Sequence, residues 1–152
     1  MIGKEYIMAI DPDVDYSGVA IYHKGEGITL TKWQQPRITE FIKANHDNVC
    51  VIVEAGYLNK IPNFHGGNFK VSQKIASSVG RNWQVAYSII DYCKYYHAEY
   101  KEQKPLQKVW RNGKISEEEL NKFILAPRGI RNISNTNQDE RDAILLLFSN
   151  IY

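Results

Sequence analysis

The chain has 152 residues, which is the size of one ordinary domain and is long enough to bury a hydrophobic core. Its composition, 43% hydrophobic and 24% charged, is typical of a globular protein and excludes a disordered or fibrous one. The formal net charge of +2 neither requires nor excludes a polyanionic partner, so the distribution of charge must decide. We expect a single domain over residues 1–152.

Cysteine usage and hydropathy indicate a cytoplasmic protein. The two cysteines, Cys50 and Cys93, lack the CxxC spacing of a zinc site or redox motif, and we expect no disulfide framework. The first residues contain no apolar signal region behind a basic flank. No apolar run approaches the ~20 residues that span a bilayer, so we expect no membrane partner.

The first part of the chain predicts three antiparallel strands. Tyr6–Ile10 is an almost continuous apolar run that ends abruptly at Asp11-Pro12. Two further apolar segments, Gly18–Tyr22 and Ile28–Trp33, follow it after short connections, of which the second contains Gly25 and Gly27. Short connections of this kind join neighbouring antiparallel strands.

The middle of the chain predicts a helix, a central strand and a loop. A short helix is expected over Ile38–Ala44, after Pro36. The β-branched run Val49–Val53 is typical of a strand buried on both faces, and it ends at Glu54. Residues Ala55–Asn68 carry three glycines and a proline, which predicts a flexible loop.

The second half predicts helices that alternate with one more strand. Apolar residues recur at three- and four-residue steps from Phe69 to about His97, which indicates a long helix. Ala98–Gln103 is a candidate last strand. Ser116 and Glu119 form a capping-box pattern that opens a helix to about Leu125.

A polar stretch over Ala126–Gln138 then precedes a final apolar helix over Asp139–Ile151. Hairpin strands followed by alternating strands and helices predict an α/β fold with a mixed five-stranded sheet covered by helices.

Four acidic residues lie where a folded core does not need them. Asp11 and Glu54 each follow a buried strand directly, and Asp139 and Asp142 share one face of the last helix's first turn. Each has an ordinary explanation when taken singly. Asp before Pro starts turns, a Glu at a strand end is often solvated, and acids stabilise the positive end of a helix dipole.

Together, the four acids predict a metal site. Ligand sites in open α/β sheets gather at the carboxyl ends of strands, where Asp11 and Glu54 fall. If the last helix presents Asp139 and Asp142 to the same place, the like charges repel unless a cation neutralises them. Oxygen ligands without a nearby His or Cys suit Mg²⁺ or Mn²⁺.

The same residues resemble those of RuvC-like Holliday-junction resolvases, members of the ribonuclease H-like superfamily. Ile7–Pro12 with Ser17–Ala20 resembles the opening strand, turn and strand of that family. Val51–Glu54 resembles its second acidic strand end. Gly80–Asn82 and Asp139–Ala143 fit the same pattern in the same order, so the resemblance spans nearly the whole chain. Asp13, where a small residue is more usual, and the loop Gly56–Asn68 depart from the pattern.

The resemblance implies a ribonuclease H-like sheet with helices on both faces and a homodimer that cuts four-way DNA junctions. Its catalytic and metal-binding acids would be Asp11, Glu54, Asp139 and Asp142, holding two Mg²⁺ ions per active site, for which Mn²⁺ could substitute. Lys114 lies where the family uses a catalytic lysine that contacts phosphate.

Basic and aromatic side chains give candidate DNA contacts. Basic residues cluster before the capping box (Lys101, Lys104, Lys108, Arg111, Lys114), before the last helix (Arg128, Arg131) and along the long helix (Lys70, Lys74, Arg81). They indicate either a phosphate-tracking rim or an ordinary solvated surface. Tyr57, Phe64, His65 and Phe69 either stack on unpaired bases or pack on their own loop.

Two further questions stay open at the level of sequence. The aromatic residues of the long helix, Trp83, Tyr87, Tyr92, Tyr95 and Tyr96, indicate either a dimer surface or an internal core. Besides junction resolution, the acids fit a nuclease for flaps, R-loops or RNA–DNA hybrids. A non-catalytic nucleic-acid-binding protein on the same fold is the more distant alternative.

Overall fold

The computed structural model describes residues 3–59, 69–107 and 109–151, with side chains except those of residues 69–72 and 111. These residues form one five-stranded mixed sheet in the order β3-β2-β1-β4-β5. The strands are β1 (Tyr6–Asp11), β2 (Ser17–His23), β3 (Gly27–Trp33), β4 (Val49–Glu54) and β5 (Glu99–Gln103). The mixed five-stranded sheet is confirmed.

Strand pairing explains where the strands end. The first three strands pair antiparallel, while β4 runs parallel to both β1 and β5. β1 and β4 each extend one residue beyond the predicted apolar run, because Asp11 pairs with Gly18 and Glu54 pairs with Gln103. Each acid is therefore the last residue of a strand and does not belong to the turn that follows.

Helices cover both faces of the sheet, as predicted. One face carries Met8 and Val51, which pack against α1 (Gln35–Asn45) and α2 (Phe69–Tyr95). The other face carries Ala9 and Ile52, which pack against α4 (Gln138–Ile151) and the segment before it. Because side chains alternate across a strand, neighbouring residues of β1 and β4 enter opposite cores.

Several predicted helix bounds were wrong by a few residues. α1 begins at Gln35 rather than Ile38, because Pro36 is accommodated in the first turn, where its missing N–H is not needed. α2 ends at Tyr95, since His97 takes a positive φ of 58° and reverses the chain into β5.

The capping box predicted at Ser116 is present, but the helix it opens is not a uniform α-helix. The Glu119 backbone N–H donates to Ser116 Oγ, and the Ser116 N–H donates to Glu119 Oε2. The α-helical part, α3, covers only Glu117–Glu119 and continues as a π-helical stretch over Leu120–Leu125. A 3₁₀ turn over Ala126–Arg128 begins the polar segment that precedes α4.

Gly18 is the point at which α4 meets the sheet. A Cβ atom at this position would overlap the carbonyl group of Asp139 and crowd the backbone nitrogen of Glu140. Glycine therefore lets the first turn of α4 lie directly on β2, opposite Asp11.

Cys50 and Cys93 are both buried and free. No helix among the described residues is long and apolar enough to cross a bilayer.

Gly18→Ala should destabilise the protein, because the atom that its Cβ would meet belongs to backbone and cannot rotate away. Overpacking of this kind costs about 1–3 kcal/mol. Gly80→Ala is the matched control: no atom lies within 4 Å of a Cβ at this helical position. It should stabilise α2 by up to about 1 kcal/mol. Urea unfolding measures both changes, and two variants of equal stability would contradict the close approach of α4.

Candidate metal centre

Asp11 and Glu54 lie side by side at the carboxyl edge of the sheet. Their strands are adjacent and parallel, and the residues immediately before them, Ile10 and Val53, are partners in register. Both acids line one cavity of about 160 Å³, whose other wall is formed by α2 through Asn82 and Trp83. The predicted meeting of the two strand-end acids is therefore present.

The first turn of α4, which carries Asp139 and Asp142, lies against β2 near the same edge. Alternation along β1 and β4 gives Asp11 and Glu54 the same side of their strands as Ala9 and Ile52, which is the side that α4 covers, while the strand ends also border α2 in the cavity. The Asp139 backbone lies on Gly18, which is the strand partner of Asp11. Asp142 follows one turn later on the helix and is 7% exposed.

The start of α4 is fixed by a second capping box, which sequence analysis missed. The Glu140 N–H donates to Asn137 Oδ1 at 2.9 Å, and the Asn137 N–H donates to Glu140 Oε2 at 2.8 Å. The spacing of an N-cap residue and a Glu three positions later was visible in the sequence. It positions the helix turn that carries Asp139 and Asp142.

The residues present fit a hard divalent cation in donor chemistry, since all four are carboxylates at one sheet edge. Within residues 3–59, 69–107 and 109–151, however, no group of three or more His, Cys, Asp or Glu side chains is close enough to share an ion. Asp139 and Asp142 do not line the cavity of Asp11 and Glu54. The four-acid ligand set therefore stays a prediction.

Lys114 lies apart from the cavity of Asp11 and Glu54. It is exposed, in a groove of about 590 Å³ that it shares with Gln138 and Arg141 of α4. Arg141 Nε donates to the carbonyl oxygen of Ile115 at 2.9 Å, which ties the backbone next to Lys114 to the acidic turn of α4.

The structure describes the side chains of only some of the other predicted DNA contacts. Lys74 and Arg81 are exposed on α2, and Arg81 precedes the cavity residue Asn82. Lys70 and Phe69 lie in the first turn of α2 and Arg111 begins a short 3₁₀ turn, but their side chains fall outside the described part of the structure. Phe64, His65 and Lys108 also lie outside the described residues.

Some residues of the proposed basic and aromatic rim have roles within the fold. Lys101 Nζ donates to Asn150 Oδ1, and Arg128 Nη1 donates to the Ile124 carbonyl oxygen. Tyr57 stacks on Tyr87 with ring centroids 4.2 Å apart, and its hydroxyl donates to Glu102 Oε2 at 2.7 Å. Burial, with a smaller contribution from that hydrogen bond, raises the pKa of the Tyr57 phenol. Tyr57 therefore packs against α2 and β5.

No protein-family model and no curated protein matches the sequence. Among solved structures, the T. thermophilus RuvC in complex with Holliday junction substrate matches with a TM-score of 0.52 and 15% identity, covering 95% of this chain and 93% of that one. A second Thermus thermophilus RuvC structure matches with a TM-score of 0.43 and 14% identity, covering 93% and 92%. The chain has a RuvC-like fold.

The RuvC-like fold confirms the predicted ribonuclease H-like α/β architecture. At 15% identity the likeness to T. thermophilus RuvC concerns the fold, so the roles of individual residues must be argued from the geometry of this chain.

Hydrogen bonds of Glu117 link α3 to the segment before α4. Glu117 Oε2 accepts hydrogen bonds from the Thr136 N–H at 2.8 Å and from its hydroxyl at 2.7 Å.

The Glu117 link predicts a pH-dependent contribution to stability. The hydrogen bonds from the Thr136 backbone and hydroxyl lower the pKa of Glu117 from its ordinary value of 4.5. A carboxylate with a lowered pKa stabilises the fold at pH values above 4.5, and this contribution is lost as the pH falls through the lowered pKa. Glu117→Gln should therefore be less stable than wild type at neutral pH, and the difference should shrink on acidification.

Urea unfolding of both proteins across this pH range measures the effect, with the exposed neighbour Glu118→Gln as control. A difference between wild type and Glu117→Gln that does not change with pH would contradict the link.

Proposed function

We propose that this protein is a metal-dependent endonuclease that cuts branched DNA, with four-way (Holliday) junctions as its main substrate. The observation that carries the proposal is the placement of Asp11 and Glu54 in one cavity, beside the acidic turn of α4. The RuvC-like fold supports it, because the T. thermophilus RuvC of the same fold is in complex with Holliday junction substrate.

The four acids have a common role in this proposal, which is to hold Mg²⁺, or Mn²⁺ in its place. Such ions stabilise the charge that develops on a scissile phosphate and lower the pKa of water. Asp11 lies between the other ligands, since its strand pairs with β2 on one side and β4 on the other. Glu54 and the Asp139/Asp142 pair complete the set from either side.

The basic residues act in binding rather than in holding metal. Lys114 contacts the phosphate that is cut, reaching it from the groove beside α4. Lys74 and Arg81, exposed along α2, bind the backbone of a DNA arm, as do Lys70, Lys108 and Arg111. Phe64 and Phe69 stack on bases that are unpaired at the crossover. Binding of this kind weakens steeply with added salt.

Asp11→Asn should lower Mg²⁺-dependent cleavage of a synthetic four-way junction by at least about a hundredfold, because metal stabilisation of the transition state is worth several kcal/mol. Junction binding in the absence of cleavage should stay close to that of wild type. Gel-based cleavage with and without Mg²⁺, together with a binding isotherm, measures both quantities.

Asp47→Asn is the matched control, since this acid is 86% exposed and precedes β4 at the opposite end of that strand from Glu54. It removes the same charge and should cleave like wild type. The assignment of Asp11 to the metal site would be wrong if Asp11→Asn cleaved normally, or if it lost folding and binding together.

The alternatives differ in substrate or in the absence of cleavage. A panel of four-way junction, flap, R-loop, linear duplex and RNA–DNA hybrid separates a junction resolvase from a nuclease for other branched or hybrid substrates. A protein that binds these substrates and cuts none of them with Mg²⁺ or Mn²⁺ is a non-catalytic binding protein.

Symmetric cleavage of a junction requires two active sites, and we place the homodimer contact on an aromatic patch of α2. The patch consists of Tyr92 and Tyr95, in the last turn of α2, and of Tyr96, which follows the helix. Tyr92 stacks on Tyr96, and Tyr95 meets Tyr96 edge-on with ring centroids 5.0 Å apart. Tyr95 is 75% exposed, and a second copy of the chain would cover this aromatic surface.

Tyr95→Glu should weaken dimerisation by tenfold or more, because an aromatic residue at the centre of an interface contributes about 2 kcal/mol or more. Sedimentation velocity over a concentration series measures the change. Val109→Glu replaces another exposed apolar residue, outside the patch, and should leave the dimer intact. A wild-type protein that sediments only as a monomer at high concentration would contradict the dimer.

A further inference from the structure

Gln138 contacts one of the candidate metal ligands directly. It is the first residue of α4 and lies one turn before Asp142. Its side-chain Nε2 donates to Asp142 Oδ1 at 2.8 Å. Asp142 is only 7% exposed, so the orientation of its carboxylate depends on the groups that pack around it.

Gln138 is held in turn by a fixed arginine. Arg141 Nη2 donates to Gln138 Oε1 at 3.4 Å, a long hydrogen bond that orients the amide so that its nitrogen faces Asp142. Arg141 itself is fixed by backbone, because its Nε donates to the Ile115 carbonyl and its Nη1 to the Thr136 carbonyl. Backbone carbonyls cannot rotate away, so they hold the arginine that contacts Gln138 in place.

A hydrogen bond to one carboxylate oxygen restricts rotation of the whole carboxylate group. Groups that hold a metal ligand in this way set its orientation, and losing one typically costs 10–100-fold in metal affinity or activity. We infer that Gln138 is a positioning residue for Asp142, held by Arg141, which sets the carboxylate for Mg²⁺ binding. This inference rests on the proposed function, and it adds a residue outside the four acids to the metal centre.

Gln138→Met tests the inference, because methionine keeps the length and helix propensity of glutamine and removes the amide donor. Isothermal titration with Mg²⁺ should show an affinity about 10–100-fold lower than that of wild type. Cleavage at limiting Mg²⁺ should show a lower kcat that excess Mg²⁺ restores, with KM for the junction unchanged. Gln138→Ala is a second variant that keeps the helix, and Gln84→Met, at an exposed position of α2, is the matched control.

A double-mutant cycle shows whether Gln138 acts through Asp142. In an Asp142→Asn background, Gln138→Met should cause little further loss of Mg²⁺ affinity, because the carboxylate that it positions is gone. If Gln138 had only a structural role, Gln138→Met would lower the thermal stability in EDTA, and its Mg²⁺ affinity and kcat would be those of wild type.

The outcomes separate the inference from the function on which it rests. If wild type binds Mg²⁺ and cuts junctions but Gln138→Met has wild-type Mg²⁺ affinity, only the role of Gln138 is overturned. The role of Gln138 is also overturned if Gln138→Met lowers the Mg²⁺ affinity of the Asp142→Asn variant as much as it lowers that of wild type. If wild type neither binds Mg²⁺ nor cuts DNA, both the proposed function and the role of Gln138 are overturned.

Discussion

The close approach of α4 to β2 at Gly18 is the constraint on which the candidate site depends. A side chain at position 18 would push the first turn of α4 away from the sheet, and Asp139 and Asp142 would move with it. The capping box between Asn137 and Glu140 fixes where that turn begins. Backbone packing and capping therefore place two acids from the end of the chain beside the strand pair that carries the first two.

Electrostatic repulsion between the acids opposes this arrangement, and the structure contains contacts that counter it. Gln138 gives Asp142 a hydrogen-bond donor, and Arg141 brings a positive charge to the same turn of α4. These contacts hold the acidic turn in place. Within the described residues, no three of the acids are close enough to share an ion. A divalent cation would supply the remaining neutralisation.

The sequence was most informative where one local signal decided the structure. Apolar runs located β1 and β4, and the change from apolar to acidic residues located Asp11 and Glu54 at their ends. The S-x-x-E pattern identified the capping box at Ser116. The π-helical stretch Leu120–Leu125 has no comparable local signal, because its geometry depends on packing against the sheet and on Asn121, which bonds the backbone of the following segment.

Contacts between distant segments account for what sequence analysis missed. The bond between Gln138 and Asp142 follows the i,i+4 spacing of a helix, but the arginine beside them is fixed by backbone of Ile115 and Thr136, which no spacing rule shows. The separation of Lys114 from the cavity of Asp11 and Glu54 is likewise a property of the folded chain. A crystal structure grown with Mn²⁺ shows whether the acids converge on divalent ions. We expect anomalous density between Asp11, Glu54 and the acidic turn of α4, whereas density only elsewhere on the protein, or none, would show that they hold no ion together.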